Sequence, residues 1–214
     1  MSKFNHYAQE ADRIAKEAFK EYQEAEQAFR EAQAKYLKYP QRVGFVDHEY
    51  AVKSLRAKAD YEEAKDAFNQ AKRNLASHQR DFEELRSQLS EELDTYYAVN
   101  PEAVDDKAIE LMKSGILKVN DYKRLMNEAE EAENFTMMRM VSKYAKEAGE
   151  AISQRYGEGD LTARELQRLS YVPDYASERM RDFDLLKEVY DRSVNNSGMI
   201  DHWDELTANT VENF

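Results

Sequence analysis

Cysteine is absent from the 214 residues, which excludes disulfides, thiolate metal sites and cysteine nucleophiles. Glycine and proline are scarce, at 6 and 3. A chain so poor in both, and rich in Ala, Glu, Lys, Gln and Arg, does not read as a sandwich, a barrel or a collagen-like repeat. No apolar run approaches the ~20 residues needed to span a bilayer. The opening Met1-Ser2-Lys3-Phe4-Asn5-His6 lacks the apolar stretch of a secretion signal. A surplus of positive charge is missing too: 43 acidic residues against 31 basic ones leave a net charge of −12. Nucleic acid and anionic membrane surfaces call for cations that displace counterions, so neither is an expected partner. These exclusions leave a soluble, intracellular, all-α protein.

Catalytic signatures are also missing. The sequence holds no Gly-rich phosphate loop, no His-Glu-x-x-His and no Gly-x-Ser-x-Gly. Its four histidines, His6, His48, His78 and His202, show no i,i+4 pairing of the kind zinc uses. No Glu has a His three residues later, as a di-metal helical bundle would require. The expectation is a non-enzymatic protein with no cofactor and no metal.

What the chain does have is helical periodicity. From about Lys3 to Lys38 the apolar residues fall at Phe4, Tyr7, Ala11, Ile14, Ala18, Tyr22, Ala25, Phe29, Ala32 and Tyr36. Steps of three and four keep them on one helical face. Pro40 ends the segment, Gly44 sits in a short linker, and Asp47 suits an N-cap. A second segment, from about His48 to Ala98, carries Ala57, Tyr61, Ala64, Phe68, Ala71, Leu75, His78, Phe82, Leu85 and Leu89 at the same steps. Roughly 50 residues at 1.5 Å each make a rod of about 75 Å, which reads as coiled coil. Residues 1–98 are therefore expected to form a long antiparallel coiled-coil hairpin, Ala on one helix facing Phe or Tyr on the other. Tyr61, Phe68, Leu75, Phe82, Leu85 and Leu89 are its expected self-association seam, which makes the protein an expected homo-oligomer. His78 reads as a polar seam residue that sets register.

Residues 99–214 read as a bundle of short helices with a terminal docking segment. Asn100-Pro101-Glu102 predicts a helix start, Ser114-Gly115 a stop, Asn120-Asp121 another start, and Thr162 with Glu165 a capping box. Pro173-Asp174 opens a further helix, which Asn195-Asn196-Ser197-Gly198 closes. Met137 and Met138 adjoin Met140 on a predicted helix, and methionine surfaces adapt to partners. The tail places Met199, Ile200, Trp203 and Leu206 after a glycine stop, as a docking peptide would. These six are the candidate partner-binding residues. Charge is uneven: residues 1–97 hold 16 basic and 19 acidic residues, a net of −3, while residues 98–214 hold 15 and 24, a net of −9.

The stretch Ala108-Ile109-Glu110-Leu111-Met112-Lys113-Ser114-Gly115-Ile116-Leu117, then Asp121-Tyr122, then Asn134-Phe135-Thr136-Met137-Met138-Arg139-Met140-Val141-Ser142-Lys143-Tyr144-Ala145, resembles a segment of tailed-phage and prophage proteins of Gram-positive hosts that lie among head and capsid genes. Residues 106–148 carry the resemblance. It implies a capsid scaffolding or head-associated protein, working in the host cytoplasm or within a virion, with a capsid or other virion protein as partner. Scaffolding proteins often bind coat subunits through a basic terminal helix; here the C-terminus is acidic, so contact would use an apolar or acidic surface. The acidic C-terminal half also admits a second expectation, a phage-encoded inhibitor or nucleic-acid mimic that occupies a basic groove of a host protein.

Overall fold

Helix-forming residues at helical spacing, with Asn and Asp at the breaks, give an all-α protein. The computed structural model describes residues 3–39 and 47–214; the linker with Pro40 and Gly44 lies outside them. Among the described residues there are eight α-helices and no strand. They are α1 (Asn5–Lys38), α2 (His48–Tyr96), α3 (Asp106–Lys113), α4 (Val119–Glu131), α5 (Phe135–Tyr156), α6 (Leu161–Leu169), α7 (Tyr175–Asn195) and α8 (Trp203–Asn213).

The helix starts follow side-chain chemistry, at positions that differ in places from the expected ones. Asn100 does cap, but it caps the short 3-10 turn Pro101–Ala103, accepting from the Glu102 amide. The helix proper begins after Asp105, whose carboxylate accepts from the amides of Lys107 and Ala108. Asp121 is not the residue before α4. It sits inside the first turn and accepts the Lys118 N–H at 2.9 Å. Asp160, not Thr162, caps α6 by accepting from Ala163. Asp105 and Asp160 thus accept from free first-turn amides, and Asp121 reaches back to the amide before its helix.

The chain divides into two units, Met1–Ser90 with Arg179–Phe214, and Glu91–Glu178. This replaces the expected division after residue 98. The reason lies in α7 and α8: their apolar residues are buried in the first unit, so the C-terminal segment does not belong with the short helices that precede it.

In the first unit, ring contacts fix the direction of α1 against α2. Tyr36 meets Tyr61 at 5.1 Å between centroids, Phe29 stacks on Phe68 at 5.4 Å, and Tyr22 also reaches Phe68. Further along, Asn74 donates to Glu21 at 2.7 Å. Positions on α1 fall as those on α2 rise, so the helices run antiparallel. From Tyr22 back to Tyr7 the pair is joined by α7 and α8. Tyr190 stacks on Phe82 at 4.5 Å and on Phe19 at 5.4 Å, and Trp203 meets Phe19 edge-on. The Tyr190 hydroxyl donates to the Leu75 carbonyl at 2.8 Å, which satisfies a phenol buried in an apolar core. Around this core lie ion pairs: Lys187 bridges Glu83 and Asp191, and Arg86 meets Asp184.

In the second unit, α4, α5 and α6 pack around Tyr122, Met137, Met138, Val141, Ala145 and Leu166, with α3 adding Ile109 and Met112. Gly149 lets α5 and α6 touch: a Cβ there would lie 3.2 Å from the Ala163 carbonyl oxygen and 3.3 Å from the Leu166 Cβ.

Candidate functional site: the open stretch of the helix pair

Stripe width decides what each part of α1 can touch. Near its start the buried residues are Tyr7, Ala8, Ala11, Ala15, Ala18, Phe19 and Tyr22, a band wide enough for two neighbours. Beyond Tyr22 only Ala32 is fully buried. There Phe29 and Tyr36 of α1, and Tyr61 and Phe68 of α2, stack on one another yet stay partly exposed. Leu37 and Leu55, on the same stretch, are each 69% exposed. Around these rings lie pairs such as Arg30–Glu26 and Lys53–Glu49. This is an aromatic seam with little cover.

The expected seam residues separate into two groups. Leu75, Phe82 and Leu89 are fully buried in their own chain; the first two lie against Tyr190. That corrects their assignment to self-association, because no partner could reach them. Tyr61 and Phe68 remain on the open stretch. Leu85, half-buried, lies with Ile14 in a groove of about 420 Å³ on the helix pair. Carboxylates of Glu10, Glu17, Asp81 and Glu84 border it, interrupted by Arg13, which donates to Glu10 and Glu17. The hydrogen bond from Arg13 holds the Glu10 carboxyl below the usual carboxylate range, against the opposing effect of burial. His78 lines the same groove, its Nδ1 2.6 Å from Asp81.

The expected partner-binding residues also fall differently. Met137 and Met138 are core residues of the second unit. Ile200 and Trp203 are core residues of the first. The indole N–H of Trp203 donates to Asp12 at 2.8 Å, and Lys16 bridges Asp12 to Asp204. An apolar tail in a chain with an unfilled apolar face packs at home before it seeks a partner, and α8 does so. Met199 is partly exposed, and Leu206 is 47% exposed. Sequence reading missed Phe19 and Phe214, both buried. Phe19 could have been found, since it widens the α1 stripe next to Ala18. Phe214 carried no periodic signal.

Among the described residues no cluster of three His, Cys, Asp or Glu side chains is placed to hold a metal ion, and no helix is long and apolar enough to cross a membrane. No protein-family model, curated protein or solved structure matches the chain.

Proposed function

We propose that this chain is a non-enzymatic assembly protein that self-associates through the open stretch of α1 and α2 and binds other proteins. The resemblance over residues 106–148 supports phage head assembly as the setting of that role. One observation carries the self-association: four stacked rings, Phe29, Tyr36, Tyr61 and Phe68, are left partly exposed on a stretch that also carries the exposed Leu37 and Leu55. Two helices alone bury little apolar surface. A second copy laid on this stretch would remove more from water, at roughly 25 cal/mol per Å², and helix pairs of this kind close readily into symmetric dimers. The inhibitor reading rests on charge, and around the acidic groove beside Leu85 the carboxylates are interrupted by Arg13.

Sedimentation equilibrium over a concentration series tests the proposal. The wild type should associate, and Leu37→Glu with Leu55→Glu should shift it toward monomer with helicity unchanged. A protein that stays monomeric at the highest attainable concentration, and fails to capture capsid protein, would end this reading.

A further inference from the structure

The second unit contains a cavity that self-association does not use. It measures about 640 Å³ and lies among the start of α4, the second half of α5 and the start of α6. That size is within the roughly 300–1,000 Å³ of pockets that hold small molecules. Its walls are mostly apolar: Leu117, Val119, Ala148, Ala151, Ile152 and Leu166. Outside it the apolar character continues, with Ile116 68% and Leu161 76% exposed.

One wall residue is out of keeping with the rest. Tyr122 is only 2% exposed. Among the described residues its hydroxyl has no hydrogen-bond partner, in contrast to Tyr190, which donates to a carbonyl. The hydroxyl is also absent from the fully sealed, unpartnered polar atoms, which are Asn5 Oδ1 and Ser153 Oγ. It therefore keeps slight contact with solvent, and Tyr122 is among the residues that line the cavity. With no protein partner, its donor is open to water or to a ligand held in the cavity. Burial, with the Glu147 charge adding to it, pushes this phenol above its ordinary pKa, so it stays protonated and able to donate. At the mouth stand Lys118, Asn120 and Thr162, while Glu165 is engaged by Lys123 at 3.1 Å.

We infer that this cavity binds a small single-headed amphiphile, its apolar body against Leu117, Ile152 and Leu166 and an oxygen acceptor on its head receiving the Tyr122 hydroxyl. A carboxylate, an alcohol or an amide supplies such an oxygen. A quaternary ammonium head does not.

Isothermal titration of the full chain with decanoate, 1-decanol and decyltrimethylammonium, each below its aggregation limit, tests this. The first two should bind saturably at one per chain, and the third more weakly. Tyr122→Phe should weaken the two acceptor-headed probes roughly five- to tenfold, the worth of one neutral hydrogen bond, and leave decyltrimethylammonium unchanged. Ala151→Trp, on the exposed side of α5 at the cavity wall, should block all three while thermal unfolding shows an intact fold. Three results would overturn the inference: no saturable binding, equal binding of all three heads, or wild-type affinity in both variants. Sedimentation of the same variants should match the wild type, which separates this site from the assembly surface.

Discussion

The two stretches of the α1–α2 pair are built from the same alphabet, small residues alternating with rings, yet they end in different environments. Toward the start of α1, Phe82 and Tyr190 stack at 4.5 Å, and α7 and α8 close the core. Toward its end, Phe29 and Phe68 stack at 5.4 Å with solvent still reaching them. The ring pairs are alike and the cover is not. An aromatic pair between two helices is thus neither core nor surface until a third element arrives.

The sharpest way to test that contrast is to delete one ring from each stretch. Phe82→Ala should cost about 3–5 kcal/mol, the usual range for a buried aromatic, read from urea denaturation monitored by circular dichroism. Phe68→Ala, half-exposed, should cost the monomer only about 1–2 kcal/mol by its smaller buried area, with its larger effect on the sedimentation profile. Equal costs would erase the distinction between the two stretches.

A smaller effect isolates the hydrogen bond in the closed stretch. Tyr190→Phe keeps the ring and removes the donor to Leu75, at a cost of about 1 kcal/mol near neutral pH. The same variant tests pH dependence. Burial raises the Tyr190 pKa in the folded chain, with Asp81 and Asp191 adding to the shift. A phenol in the unfolded chain ionises near pH ~10. Above that pH the unfolded state loses a proton that the folded state retains, so stability falls as pH rises. The urea midpoint should decline beyond pH ~10 in the wild type and decline less steeply in Tyr190→Phe. The smallest effect is expected at the edge of the core. Arg86 and Asp184 are each more than 40% exposed, so Asp184→Asn should change stability by under about 1 kcal/mol, and less still in high salt.

The helix content and the ends of α1, α2 and α7 were legible because they depend on neighbours in sequence: apolar steps of three and four, Pro173 before α7, the Asn195–Gly198 stop. What covers each face was not. Spacing along α2 gives Leu75, Phe82 and Leu89 the same appearance as Tyr61 and Phe68. Only α7, about a hundred positions later, separates them. A partial signal was present in α1, where Ala8, Ala15 and Phe19 broaden the apolar band just where α7 and α8 later dock. Trp203 was misread because an apolar cluster after a glycine looks alike whether it leaves the molecule or folds home, and its partner Asp12 lies 191 residues away. Tyr122 was visible as part of a helix face, but its unmet hydroxyl exists only once α5 and α6 are in place.

The lone indole has a practical consequence. Only one tryptophan is present, and it is shielded where α8 meets α1 through Asp12. Its emission therefore reports on one place: a shift to longer wavelength marks the opening of the core where α8 meets α1 and α7, with no label attached and no other tryptophan to obscure it.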